Sequence, residues 1–269
     1  MRMKAALYGA ALLALACGAA SSGRAANIAL SGTDLAGNQP IIDFLTANFA
    51  GVNVTHGDFS DPANIPAGTD VFIVGRILSS GAYANAANST TFNNLSIPVV
   101  AFTSYVVRPD GGRWGWHSGG VGGGLVDGDE TTVTAAGAAL FGAASPVDWW
   151  TVGTSGNNFN ASGTGGVGTG SILATIDGNI LVAAWEPGQQ SAGGTAFTAN
   201  RLLFNLPDSF FNPPSVALIP DTAAGTQALI AALARYASLQ PVPEPSSLAL
   251  LGMGALTATC RIRRRLRKR

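Results

Sequence analysis

Asp70-Val71-Phe72-Ile73-Val74-Gly75 is the stretch on which the fold turns. Four consecutive apolar residues, three of them β-branched and the run closed by glycine, describe a strand covered on both faces. A half-exposed strand would alternate apolar and polar residues instead. A strand buried on both sides needs helices above and below its sheet, and the neighbouring sequence supplies them. Asn27-Ile28-Ala29-Leu30-Ser31-Gly32 reads as a short strand ending in a turn. Asn38 and Pro40 suit the cap and first turn of a helix. Ile41, Ile42, Leu45 and Phe49 then share one face of that helix, from Pro40 to Phe49. Val52-Asn53-Val54-Thr55 reads as a second strand, Ala82 to Leu95 as a second helix, and Ile97 to Phe102 as another buried strand. This alternation with short connections predicts an α/β fold, a mainly parallel sheet flanked by helices on both faces.

Farther along, Gly111 to Gly124 and Gly153 to Gly170 are rich in Gly, Ser, Thr and Asn, which favours loops. Ser171 to Ile176 and Ile180 to Trp185 are apolar runs separated by Asp177-Gly178-Asn179, a late β-hairpin. Arg201 to Leu206 is one more strand. Asp221 is placed to cap a closing helix with Leu229, Ile230, Leu233 and Tyr236 on one face, and Pro241 ends the domain.

The two ends of the chain do not belong to this fold. Arg2 and Lys4, an apolar run from Ala5 to Ala16 and small residues after it have the form of a secretory signal peptide over residues 1–26. That implies passage through Sec-type export machinery. Cys17 allows a lipoprotein reading, against which Ala14 fits poorly three residues before it. At the other end, residues 241–269 combine Pro243-Glu244-Pro245, an apolar run from Ser246 to Cys260 and a final RIRRRLRKR. As a helix the apolar run would be about 22 Å long, short against a hydrocarbon core of about 30 Å. The basic residues after it stay inside by the positive-inside rule, which leaves residues 27–240 outside.

Trimming both ends changes the chemistry of what remains. Residues 27–240 hold five arginines, no lysine and fourteen Asp and Glu, a balance of −9. Such a domain repels polyphosphate, which argues against nucleic-acid binding. Both cysteines, Cys17 and Cys260, fall outside it, so it holds no disulfide framework, cysteine nucleophile or thiolate metal site.

The tail resembles a known sorting signal. VPEPSSLALLGMGALTATCRIRRRLRKR is closely similar to the PEP-CTERM signal of Gram-negative bacteria, with the Pro243-Glu244-Pro245 motif, one apolar segment and a terminal arginine cluster that includes Arg263, Arg264 and Arg265. The resemblance implies an exosortase, a membrane cysteine protease, as partner. It also implies membrane tethering before processing and delivery to the cell surface or exopolysaccharide matrix. The domain layout in turn resembles the class I glutamine amidotransferase-like variant of the flavodoxin-like fold. Ser79 to Tyr83 (SSGAY) and Arg113 to Trp116 (RWGW) are similar to segments of secreted proteins of unknown function with that fold.

In that family a cysteine stands at a tight strand-to-helix turn with a histidine and an acid nearby. Here Val99 to Phe102 runs into Thr103-Ser104-Tyr105 with no cysteine. Ser104 or a bound cation, with His117, gives a hydrolase reading, but Ser104 lacks the G-x-S-x-G setting, and an ordinary strand-end serine is the alternative. Arg113, Trp114, Trp116 and His117 suggest a shelf for a sugar or carboxylate. The same residues equally describe a lid packed over the sheet edge. Asp127, Asp129 and Glu130 suggest a cation site, yet the further ligands of a calcium loop are missing and a solvated acidic turn fits as well. No cofactor pattern appears. The expectation is an exported, non-enzymatic binding or structural protein, with a hydrolase as its rival.

Overall fold

The computed structural model describes residues 25–121, 130–142, 145–151, 165–209 and 215–242. These form an eight-stranded mixed sheet in the order β2-β1-β3-β4-β8-β7-β6-β5. In chain order the strands are β1 (Ala26–Ser31), β2 (Val52–Gly57), β3 (Val71–Val74), β4 (Val99–Ala101), β5 (Thr131–Val133), β6 (Ser171–Ile176), β7 (Asn179–Trp185) and β8 (Arg201–Phe204). The helices are α1 (Leu35–Asn48), α2 (Ala86–Asn93), α3 (Ser104–Val107), α4 (Ala135–Phe141) and α5 (Ala223–Tyr236).

β3 lies inside the sheet and all four of its residues are buried. Val71 and Ile73 join the core on one face, while Phe72 and Val74 join the core on the other. On the first face the sheet packs against Ile41, Phe44 and Leu45 of α1 and Leu229 and Leu233 of α5. On the second it packs against Phe92 of α2 and Val106 and Val107 of α3. The continuous apolar run therefore has the cause assigned to it.

The parallel part is smaller than expected. β2, β1, β3, β4 and β8 run parallel, whereas β8-β7, β7-β6 and β6-β5 are antiparallel. The hairpin turns at Asp177 (φ 48°) and Gly178 (φ 73°), two consecutive positive φ values that match the right-handed twist of the strands. β5, beyond the hairpin, extends the antiparallel part by one strand that the polar sequence around it concealed.

Two helix starts also differ. Asp34, not Asn38, caps α1, accepting from Gly37 N at 3.1 Å. Thr222, not Asp221, caps α5 through Gly225 N at 3.0 Å, and Asp221 instead accepts from the backbone N–H and hydroxyl of Thr151. The expected helix from Ala82 to Leu95 divides into a 3-10 turn over Ser80–Tyr83 and α2, because Asn85 caps a new start at Ala87 N. Among the described residues no helix is long and apolar enough to cross a membrane. Ala5 to Ala16 and Ser246 to Cys260 lie outside them.

Candidate functional site at the carboxyl edge of the sheet

Ligands of open α/β sheets gather where the strands end and the chain reverses its direction of travel across the sheet. Here the chain leaves β1 for β2 on one side and returns to β3 on the other. The loop after β3 is built by a single side chain. Asn38, buried in α1, accepts from the backbone of Arg76 at 3.0 Å and Ile77 at 3.1 Å. Its amide donates to Asp34 O and Ile77 O, both at 2.8 Å. A side-chain amide has two donors and two acceptor sites, and all are used. The fit requires glycine on both sides: a methyl on Gly75 would lie 2.6 Å from Asn38 Oδ1, and one on Gly32 2.5 Å from Nδ2.

This loop forms one wall of a cleft of about 380 Å³ lined by Arg76, Ile77, Leu78, Ser80, Thr103, Tyr105, Asp208 and Ser215. That volume is within the range of small-ligand sites. The Arg76 guanidinium meets Asp208 at 3.0 Å, and both side chains are buried, 4% and 6% exposed. Burial pulls Arg76 below its ordinary range, and Asp208, then Tyr105, oppose that pull. Tyr105 lies within cation–π reach of both Arg76 and Arg108, at 5.9 and 5.7 Å. Thr103 caps α3 through Tyr105 N at 3.3 Å and so sets the angle at which Tyr105 leaves β4. The lining thus offers a fixed donor and acceptor pair with four hydroxyls around it.

None of the residues singled out in the sequence lines this cleft. Ser104 follows β4 at the first turn of α3 and is fully buried, as is His117. The imidazole lies against the backbone of Gly119 and Ser104. The two residues are brought together, yet neither reaches a surface from which a substrate could approach. Trp114 and Trp116 are buried as well, 5.5 Å apart. Trp114 stacks on Phe92 at 4.7 Å, and Trp116 meets Trp185 and Phe197 at 5.5 and 5.7 Å. Asn93 holds the segment by donating to Trp114 O and accepting from Trp116 Nε1. Protein already covers these rings, so the lid packing prevails over the stacking shelf. Arg113 is half-buried beside Arg108 and Asp110, the latter exposed and paired with Arg108 at 2.7 Å. Glu130 is exposed, and Asp127 and Asp129 lie outside the described residues. Among those residues no cluster of three or more His, Cys, Asp or Glu could hold a metal.

His117 gives this packing a pH signature. Burial lowers its pKa from 6.5 to about 4. Between those values the unfolded chain binds more protons, so stability falls as pH drops through that window and is level above it. The whole span is worth about 3 kcal/mol. Urea midpoints measured from pH 4 to 7 should show the fall, and His117→Gln should flatten it. His56, also held low by burial against the opposing pull of Asp34, adds in the same sense.

Comparison with known proteins finds a motif near the C-terminal end of the sequence. Residues 241–265 match the PEP-CTERM protein-sorting motif. The chain carries a sorting signal. It indicates a protein that an exosortase-type system sorts to the cell surface. No curated protein matches the chain in sequence. Among solved structures, the cytoplasmic protein STM3548 from Salmonella typhimurium is 10% identical with a TM-score of 0.44, covering 80% of this chain and 99% of that one. The sorting signal's Pro243, Glu244 and Pro245, and Arg263, Arg264 and Arg265, lie outside the described residues.

Arg76 and Asp208 were not among the residues singled out, although a signal for them exists. Each is a charged residue just beyond a buried strand, Arg76 after DVFIVG and Asp208 after RLLFNLP. In an open α/β sheet that position is the ligand edge.

Proposed function

We propose that the sorted protein is a non-enzymatic binding module of the cell surface or exopolysaccharide matrix, on an amidotransferase-like α/β scaffold. The ligand is polyhydroxylated, a segment of extracellular saccharide, held in the carboxyl-edge cleft. The observation that carries this reading is the cleft lining: the Arg76–Asp208 pair beside the hydroxyls of Ser80, Thr103, Tyr105 and Ser215. A fixed donor and acceptor pair with hydroxyls beside it suits sugar hydroxyls, which both donate and accept. The position of Ser104 at the turn from β4 into α3 supports the scaffold, since that turn holds the nucleophile in amidotransferase-like enzymes.

The test is a titration of the purified protein with oligosaccharides cut from the producing strain's own matrix polysaccharide. Ser80→Trp fills the cleft from its rim and should weaken binding about tenfold or more with the melting temperature retained. Equal binding by this variant would sink the proposal.

A further inference from the structure

Where the two ends of the domain lie is fixed by contacts on the opposite edge of the sheet. Ala25, just before β1, packs beside Gly51: a methyl on Gly51 would lie 3.6 Å from Ala25 Cα. On the other side of this corner, Ala50 N donates to Gln240 O at 2.9 Å, and Val242 N donates to Asn48 O at 2.8 Å. Phe49 and Pro241 form an antiparallel bridge between them. Leu239 and Phe49 are buried, so this short two-stranded contact is anchored in the core at both strands. Asn48 to Ala50 lead into β2 and Ala25 leads into β1, which puts both ends at the amino edge. The cleft is at the carboxyl edge, a strand's length of about 20 Å away.

The matched motif starts at residue 241, within this contact, and its Pro243-Glu244-Pro245 triplet begins at the next residue. With consecutive Cα atoms about 3.8 Å apart, Pro243 lies within that distance of Val242, and Pro245 within about 11 Å. Recognition of an extended peptide draws on its main-chain N–H and C=O groups, each of which serves one strand partner at a time. Gln240 O and Val242 N are already engaged by the domain. A membrane peptidase approaching Pro243-Glu244-Pro245 thus meets a segment whose upstream main chain is occupied and whose folded domain is one residue away.

We infer that Gln240–Val242 is a clip that shields the sorting motif, so that the sorting peptidase must first displace it from Asn48–Ala50. Undocking costs two main-chain hydrogen bonds and leaves the core beneath intact, so it is a local opening rather than unfolding. Release of the clip then sets the rate at which the tail is processed.

Pulse–chase of the full chain in a strain with an active exosortase tests this, with a chain ending at Val242 marking the product's mobility. Eight Gly and Ser residues inserted between Val242 and Pro243 move the motif clear of the domain and should speed tail loss about fivefold or more. Val242→Pro removes the donor to Asn48 O without lengthening the chain, its exposed side chain leaves the core unchanged, and it should act in the same direction. Unchanged or slower processing of the inserted chain overturns the inference. So does acceleration by the insertion with none by Val242→Pro, which would make proximity alone, and not the clip, the obstacle.

Discussion

Replacing Arg201 with methionine is expected to cost about 3–5 kcal/mol of folding stability. Arg201 opens β8 and is fully buried. Nη1 donates to the carbonyls of Ile97, Ala199 and Asn200, and Nη2 to those of Phe92, Asn93 and Leu95, at 2.8–3.4 Å. Three of these six carbonyls belong to the end of α2 and the turn after it, where the helix dipole is negative. Burial pulls the guanidinium to about 9, still well above neutral pH, so the side chain remains a cation. Phe197 lies within cation–π distance at 5.2 Å.

A buried ion pair can often be replaced by apolar residues at no loss, because both partners leave together. Here the acceptors are main-chain carbonyls and stay behind: Phe92 O, Leu95 O and Asn200 O keep donors in Leu95 N, Thr198 Oγ1 and Val99 N, while methionine takes the guanidinium from those of Asn93, Ile97 and Ala199. Arg201→Lys keeps the charge but offers three donors in place of the planar fork, and about 2 kcal/mol is the expected loss. For a domain of this size the methionine variant should melt about 10 °C lower. A loss under about 1 kcal/mol would mean that water reaches the carbonyls.

The parts of the fold legible in the sequence are those where local chemistry admits one answer. β3 announces itself because burial on both faces leaves no position for a polar residue. The hairpin is legible because Asp177-Gly178 meets the need for two positive φ values. β5 is not legible, since Thr131-Thr132-Val133 becomes a strand only by pairing with β6. Asn38 misleads for a related reason: an asparagine two residues before a proline looks like a helix cap. Its amide is instead consumed by the loop after β3, and that loop comes close only once the sheet has formed. The tryptophans fail in another way. A ligand shelf and a core lid use the same residues, and what decides between them is Asn93, which fastens the RWGW segment over α2 and α3. The site was hidden because its two charged residues come from loops far apart in the chain, joined only by strand order.

That strand order gives the molecule two edges of different chemistry. Contacts at the amino edge are main-chain and apolar, and they hold Gln240–Val242 against Asn48–Ala50. The carboxyl edge concentrates charge and hydroxyls in a domain that has few cations to spend. The proposed ligand cleft and the proposed clip therefore lie at opposite edges, about a strand's length apart.

The Arg76–Asp208 pair should reveal itself through its coupling. Removing one partner from a buried pair leaves an uncompensated charge, and Arg76→Met is expected to cost about 3–5 kcal/mol. Asp208→Asn keeps an acceptor for the guanidinium and should cost less, about 2 kcal/mol. With both replaced, no charge remains buried, and the double variant should be more stable than the sum of the single losses by about 2–3 kcal/mol. Urea unfolding of the four proteins at pH 7 measures the cycle. Additive losses would show that each charge is satisfied by other groups, leaving the cleft without a fixed pair at its floor. A large coupling would instead mean that the donor and acceptor are held for each other when no ligand is bound. A saccharide hydroxyl would then meet a site whose geometry is already set, so that little ordering cost falls on binding.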